Sequence, residues 1–159
     1  MEKQSLDHGS IRSILAKWGS YYHNIFIPEF TWGGLRIDAI IIDLSHRWVR
    51  GFEIKASRSD FLKDDKFTLY TQFCSSLSIV CPEGVVQPEE IEKPFGLVWV
   101  YEKDKFNYES LRWVKRPKNF QKRRSMAWVW TYIQILETEF PRMQFALNEA
   151  CSKLLNGGS

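Results

Sequence analysis

Two carboxylates and one amine are spaced so that a short β-hairpin would bring them together. Asp38 is followed fifteen residues later by Glu53, and Lys55 stands two residues beyond Glu53. Both acids lie in runs rich in β-branched and aromatic residues, a composition typical of strands, and Leu44-Ser45-His46 separates the two runs. A turn centred on Ser45-His46 pairs residues whose numbers sum to 91. Asp38 is therefore predicted to face Glu53, and Arg36 to face Lys55.

Side-chain alternation places these four charged residues on one face of the hairpin. The opposite face is predicted to be apolar, since it holds Ile37, Ala39, Ile41, Trp48, Phe52 and Ile54. Away from the charges, the first face is apolar as well, with Ile40, Ile42 and Val49. A hairpin that is apolar on both faces is typical of the centre of a sheet covered on two sides.

The facing carboxylates need a neutralising partner. Two carboxylates about 5 Å apart repel by roughly 3 kcal/mol at an effective dielectric constant near 20. A favourable cross-strand pair contributes only about 0.2 to 1 kcal/mol. One interpretation is a salt-bridge quartet in which Arg36 and Lys55 offset the repulsion at the end of the sheet. The other is that a divalent cation binds between Asp38 and Glu53.

The residue types favour Mg²⁺, or Mn²⁺ in its place, as that cation. Cβ atoms of directly opposed residues lie about 4.5 to 5.5 Å apart, so one oxygen from each carboxylate can reach a hard ion at about 2.1 Å. Mg²⁺ often binds through one or two carboxylates while phosphate oxygens and waters complete its shell. Lys55, on the same face, could orient or help deprotonate a water, or stabilise charge in the transition state. This set is suited to metal-assisted hydrolysis of a phosphodiester.

The segment that follows Lys55 adds a family resemblance. Asp38 with Glu53-x-Lys55 resembles the active-site signature of the PD-(D/E)XK nuclease superfamily, and the continuation is similar to its MmcB-like DNA-repair branch. Arg36 fits that branch too, and the similar region spans roughly residues 25 to 82. The continuation is marked by Ser57, Arg58, Asp60, Phe61, Asp64, Lys66, Tyr70 and Cys74.

The resemblance implies an α/β fold with a restriction-endonuclease-like core, in which helices flank a mixed central β-sheet. It also implies a divalent metal held by Asp38 and Glu53, Lys55 as the catalytic lysine, and DNA as the substrate. The chain departs from the superfamily at Ile37, where a proline is common, and in having no clear acidic residue on its first helix that would face the site. Glu29 is a substitute candidate for a metal ligand, with an ordinary exposed glutamate as the alternative.

Candidate DNA-contacting residues lie near the acids in the sequence and in a later basic segment. Arg36, Arg58, Lys66 and Gln72 form the first group. The second segment, residues 112–124, has seven basic residues and no acidic one: Arg112, Lys115, Arg116, Lys118, Lys122, Arg123 and Arg124. Trp113 and Phe120 interleave with them, so this segment could follow a phosphate backbone. A solvated basic loop is the alternative interpretation.

Composition indicates an ordinary globular protein. The 159 residues fit a single domain, 1–159. The net charge of +3 does not by itself indicate nucleic-acid binding. Three cysteines with no C-x-x-C pair favour reduced thiols and a cytoplasmic location, and no zinc site is indicated. No apolar run is long enough to cross a membrane.

The predicted elements supply a sheet of five or six strands. Helices are predicted over residues 10–18, 57–75 and 126–136 and after Pro141, where the last could pack on the domain or form a homodimer contact. Ser57 is predicted to cap the second helix. Strands are predicted over 23–30, 35–43, 47–55, 77–81, 96–101 and 105–114, with a turn at Gly33-Gly34 and a short helical turn at 88–91.

Two functions follow as hypotheses. The first is a metal-dependent DNA endonuclease or repair-type nuclease that uses Asp38, Glu53 and Lys55. The second is a non-catalytic nucleic-acid-binding module on the same fold that acts with a partner through the basic segment. An enzyme that acts on RNA or on a nucleotide is a further alternative.

Overall fold

Six β-strands form one mixed sheet in the computed structural model of the chain, in the order β1-β2-β3-β4-β5-β6. The strands are β1 Asn24–Trp32, β2 Leu35–Asp43, β3 Trp48–Ile54, β4 Ser76–Pro82, β5 Gly96–Val100 and β6 Leu111–Lys115. The structure describes residues 6–20, 24–43, 45–46, 48–101, 110–120, 135–142, 145, 148–149 and 152. Strands β3, β4 and β5 run parallel, and the other neighbours are antiparallel.

Four short helical elements connect or cover the strands. They are α1 His8–Gly19, α2 Arg58–Leu62 and the 3-10 helices Phe67–Gln72 and Pro88–Glu90. Asp7 caps α1 by accepting a hydrogen bond from the backbone N–H of Ser10 at 2.7 Å. The chain is thus an α/β protein with a six-stranded mixed sheet flanked by helices. The predicted strand number is confirmed, and the short helical turn predicted at residues 88–91 is present.

Both predicted hairpin turns are confirmed. Gly33 and Gly34 join β1 to β2 with positive φ angles of 56° and 81°, values that a two-residue hairpin turn needs and that glycine adopts without strain. Between β2 and β3, the pairs run from Ala39 with Phe52 to Asp43 with Trp48. The numbers of each pair sum to 91, so the predicted register is correct.

The ladder is interrupted beside the acids. Pairing between β2 and β3 ends at Ala39 with Phe52, so Asp38 and Glu53 are neighbours in register without a backbone pair. On the other side, the pairing of β1 with β2 skips Glu29 and Asp38, and Glu29 has a φ of 51°. Beside this interruption, Ile37 points to a different face from the predicted one. Ile37 was predicted to share a face with Ala39, but its Cδ1 lies against the Gly51 side of β3.

The sheet is covered on both faces, as its apolar hairpin predicts. On one face, Ile11 and Leu15 of α1 pack with Ala39, Ile41 and Phe52. Ile54, Val80, Val98 and Val100 extend that cluster across the parallel strands. On the other face, Cys74 Sγ and Leu77 Cδ2 lie close to Gly51. They occupy the space that a larger side chain at this position would need.

The predicted continuous helix over residues 57–75 is wrong. Ser57 caps its start by accepting the backbone N–H of Asp60, as predicted, but α2 ends at Leu62 and a 3-10 helix begins at Phe67. The break is centred on Asp64, whose Oδ1 accepts the backbone N–H groups of Lys66 at 2.9 Å and Phe67 at 3.2 Å. These bonds compete with the helical pattern, because an aspartate side chain offers the backbone a local acceptor.

Residues 125–159 form a separate compact unit from residues 1–124. In the second unit, residues 135–142, 145, 148–149 and 152 are helical. Residues 126–134 of one predicted helix lie outside the described residues, as do Met143, Ala146, Leu147, Ala150 and Leu154 of the last predicted helix. The same holds for residues 102–109, where the strand predicted over 105–114 would begin. Among the described residues, no helix is both long and apolar enough to cross a membrane.

Replacing Gly51 with alanine should destabilise the fold by about 1 to 3 kcal/mol, because the added methyl overpacks the core. An ideal Cβ at Gly51 would lie 2.6 Å from Cys74 Sγ and 2.6 Å from Leu77 Cδ2. Urea unfolding measures the loss. Gly9→Ala in α1 is the matched control, since its Cβ would meet only Asp7 Oδ1 at 3.7 Å and alanine favours a helix. Equal stability of both variants would show that Gly51 is not needed for close packing.

Candidate active site

Asp38 is held by two groups from different elements. Its Oδ2 accepts the backbone N–H of Ile54 at 2.7 Å, a bond made where the β2–β3 ladder has ended. Its Oδ1 lies 3.3 Å from Nε2 of His8, at the start of α1. The side chain is 19% exposed, so the carboxylate is largely removed from water. The backbone of β3 therefore fixes the direction in which Asp38 points.

Glu53 is the most perturbed acid of this site. Its side chain is 12% exposed, and Oε1 lies 3.5 Å from Nζ of Lys55. Oε2 is buried without a hydrogen-bond partner among the described residues. Burial raises the pKa of Glu53 to about 7, and the negative charges of Asp38 and Asp64 add to the rise while Lys55 opposes it. A carboxylate in this state would be stabilised by a proton or by an added cation.

Lys55 directly follows β3 and is nearly inaccessible. Its backbone N–H bonds to the carbonyl oxygen of Val80 at 2.9 Å, and its side chain is 8% exposed. Nζ lies 2.8 Å from Oδ2 of Asp64 and 3.5 Å from Oε1 of Glu53. Burial would lower the pKa of Lys55, but the hydrogen bond to Asp64 and the surrounding negative charges outweigh it and raise the pKa. Lys55 is accordingly a buried ammonium ion at neutral pH.

Asp64 forms an ion pair, and Asp60 lies at the start of a helix. Asp64 pairs with Lys55, and its side chain is only 9% exposed. Asp60 lies in the first turn of α2 and accepts the backbone N–H of Ala56 at 3.2 Å. The break in the helix after Leu62 is what lets Asp64 turn toward Lys55 while it also caps the next 3-10 helix.

Glu29 on β1 is next to Asp38 on β2 in the register of these two strands. The two residues form the pair that the ladder skips. Its Oε1 lies 3.2 Å from Nη1 of Arg12 and 3.1 Å from Nη2 of Arg36. The side chain is 49% exposed. Glu29 is thus paired with two guanidinium groups, and its role as a metal ligand stays a prediction.

Sequence reasoning missed His8 as a neighbour of the acids. His8 contacts Asp38 only because α1 packs across the sheet, and no local pattern marks it. Tyr70 is one of the residues that mark the family resemblance, and its contacts follow from the fold. Its hydroxyl donates to the carbonyl oxygen of Arg36 at 2.7 Å, and burial raises its pKa, with the charges of Glu53 and Asp64 adding to the rise. Tyr70 is therefore a neutral phenol that fastens the 3-10 helix Phe67–Gln72 to β2.

The first group of predicted DNA contacts is spread over several elements. Arg36 is exposed and pairs with Glu29. Arg58 donates hydrogen bonds from both terminal nitrogens to the carboxylate of Glu90, with Nη1 2.6 Å from Oε2. Its guanidinium group also lies over the ring of Phe61. Lys66 and Gln72 are exposed, before and at the end of the 3-10 helix Phe67–Gln72.

The described basic residues of the segment differ in their contacts, and Arg112, Arg116 and Lys118 are all exposed. Arg112 lies over the rings of Trp99 and Tyr101, and Nζ of Lys115 bonds to the carbonyl oxygens of Pro88 and Ile91. Arg116 and Lys118 are exposed, and the guanidinium of Arg116 lies 5.9 Å from the ring of Trp113. Lys122, Arg123 and Arg124 lie outside the described residues.

The donor set matches a hard cation only in part. Asp38 and Glu53 supply carboxylate oxygens, and Oε2 of Glu53 has no hydrogen bond to give up within the described residues. No group of three or more His, Cys, Asp or Glu side chains in the described part of the chain is arranged to hold a metal. Two carboxylates suit an ion that keeps several waters or takes phosphate oxygens, as Mg²⁺ does.

Comparison with known proteins identifies one related fold. Neither a protein-family model nor a curated protein matches the chain. The chain is similar to the solved structure of SPO1766, a protein of unknown function from Silicibacter pomeroyi. The identity is 22%, the TM-score is 0.64, and the match covers 86% of this chain and 84% of that chain. At this identity the likeness concerns the fold alone.

Replacing Glu53 with glutamine should change how stability depends on pH in the absence of divalent cations. The pKa of Glu53 is about 7 in the folded protein against an ordinary value of 4.5, so folding favours its protonated form. The contribution of that form is complete below about pH 4.5 and is lost as the pH rises through 7. Urea unfolding should therefore show Glu53→Gln gaining on the parent protein by up to about 3 kcal/mol between pH 5 and pH 9.

Glu92→Gln is the control, because Glu92 is exposed. It should track the parent protein across the range. A constant stability difference between Glu53→Gln and the parent protein from pH 5 to pH 9 would contradict the raised pKa of Glu53.

Proposed function

We propose that the chain is a metal-dependent nuclease that hydrolyses phosphodiester bonds in DNA, with a restriction-endonuclease-like arrangement of its α/β core. The observation that best supports this function is the state of Glu53. A buried carboxylate beside a second carboxylate keeps one oxygen without a hydrogen-bond partner in the described residues, and an ammonium ion stands 3.5 Å from its other oxygen. If the pair of Glu53 and Lys55 had only a structural role, it would not need Asp38 beside it.

Asp38 and Glu53 are the residues that would hold a divalent cation, with Mg²⁺ or Mn²⁺ as the expected ion. When bound, the ion would neutralise the two carboxylates and polarise a phosphate oxygen or a water. Asp38 is already directed by the Ile54 amide, and Glu53 by Lys55. Such fixed orientation lets charged groups act without rearrangement during the reaction.

Lys55 would act as a cation rather than as a base. Its raised pKa keeps the ammonium form at neutral pH, so it is unsuited to accept a proton from water. A buried ammonium ion stabilises the negative charge that gathers on the phosphoryl oxygens in the transition state. Asp64 would be a positioning residue, because it holds Nζ at 2.8 Å without belonging to the predicted metal ligands.

Lys55→Ala should reduce Mg²⁺-dependent cleavage of DNA by on the order of 10²-fold or more, because it removes a preorganised positive charge. The measurement is cleavage of labelled single-stranded and double-stranded DNA in Mg²⁺ and in Mn²⁺, with circular dichroism to verify folding. Lys63→Ala removes the same charge from an exposed position after α2 and should cleave at the parent rate. Cleavage by Lys55→Ala at the parent rate would eliminate the proposed role of Lys55.

Metal binding can be tested without any substrate. Mg²⁺ at 100 times its dissociation constant should stabilise the parent protein by about 2.7 kcal/mol, because only the folded state brings Asp38 and Glu53 together. Thermal unfolding with Mg²⁺ or with EDTA measures this gain. The double variant Asp38→Asn/Glu53→Gln should lose the gain, whereas Glu92→Gln should keep it. An equal gain in the double variant would place the ion elsewhere.

A further inference from the structure

A groove of about 190 Å³ lies beside the first residues of β3 and β4, and neither Asp38 nor Glu53 lines it. Trp48 is the first residue of β3 and Ser76 the first of β4, whereas Lys55 follows the last residue of β3. Glu53 stands five positions after Trp48 on β3, which is about 17 Å at 3.3 Å per residue. The groove is lined by Trp48, Arg50, Ser76, Trp113, Arg116, Pro117 and Asn119.

The groove combines aromatic surface with positive charge. Trp48 and Trp113 are both half-buried, and each has a guanidinium group over its ring, Arg50 at 5.8 Å and Arg116 at 5.9 Å. Arg50 is committed to Asp43, since the two side chains meet at 2.9 Å. Arg116 is exposed and makes no ion pair with a carboxylate in the described part of the chain. No acidic side chain lines the groove.

Nucleotides are the ligands whose chemistry matches this combination. An aromatic base offers a flat apolar face for an indole ring, and a phosphate is a bidentate acceptor for a guanidinium group. The volume is below the roughly 300 Å³ at which pockets for drug-sized molecules begin, so it suits part of a ligand rather than a whole one. A base inside a duplex already stacks on its neighbours, which makes an unpaired nucleotide the better match.

We infer that this groove binds one nucleotide unit of a single-stranded DNA segment, with the base against Trp48 and the phosphate on Arg116. The choice of a DNA strand rests on the proposed nuclease function, whereas the groove itself is defined by side chains outside the candidate active site.

The test is the binding of a fluorescein-labelled ten-nucleotide oligothymidylate, followed by fluorescence anisotropy in EDTA. EDTA removes metal-dependent cleavage and metal-dependent binding at the carboxylates. Arg116→Ala and Trp48→Leu should each weaken binding about five-fold or more, because stacking and phosphate contacts are lost. Lys63→Ala, which removes a charge outside the groove, should weaken binding less than two-fold. Urea unfolding verifies that Trp48→Leu is folded, and Arg116 is exposed enough for its variant to fold normally.

Several results would overturn the inference. They are no binding by the parent protein, unchanged affinity in both groove variants, or equal losses in Arg116→Ala and Lys63→Ala, which would indicate unspecific attraction. Competition by free thymidine monophosphate at the same nucleotide concentration as the oligonucleotide would show that the groove takes free nucleotides and not a strand. Because these measurements use no metal, they can fail while Lys55→Ala still abolishes cleavage, and they can succeed if the chain cleaves nothing.

Discussion

The buried ammonium of Lys55 is the interaction on which the candidate site depends. It stands within 3.5 Å of carboxylate oxygens from Glu53 and Asp64, and all three side chains are at most 12% exposed. Acids removed from water and placed near one another repel strongly, because the interior screens their charges poorly. The ammonium offsets only part of the cost, because burial and then the charges of Asp38 and Asp64 still raise the pKa of Glu53. The site is thus stable enough to fold and still short of positive charge.

This constraint also explains the unusual path of the chain after β3. A regular helix from Ser57 would have placed Asp64 by helical spacing alone, with no reason to face Lys55. Instead the helix stops at Leu62, one oxygen of Asp64 caps the 3-10 helix that follows, and the other pairs with Lys55. The Lys55 ammonium and the local preference of aspartate for backbone N–H groups therefore both favour the break after Leu62. The short helix therefore reflects both the ion pair with Lys55 and the local hydrogen bonds of Asp64.

The local parts of this arrangement follow from the sequence, whereas the long-range parts do not. The bounds of β2, the Gly33-Gly34 turn and the β2–β3 register all depend on neighbours in the chain, and each was predicted correctly. His8 meets Asp38 only through the packing of α1 on the sheet. The groove beside Trp48 likewise joins β3, β4 and the segment after β6, which no periodicity relates to one another. The Asp38 and Glu53 pair was predictable as a register, but the break in the ladder between them was not.

That break has its own physical reason. A continued ladder would have paired Asp38 with Glu53 through their backbones, with both carboxylates directly opposed. In the structure the ladder ends one residue earlier, and the carboxylate of Asp38 accepts the Ile54 amide at 2.7 Å. The bond gives one carboxylate oxygen of Asp38 a hydrogen-bond donor, which lowers the cost of keeping this acid largely removed from water. Because β2, β3, α1 and the Asp64 turn each contribute a contact, the site is complete only when these four parts of the chain have come together.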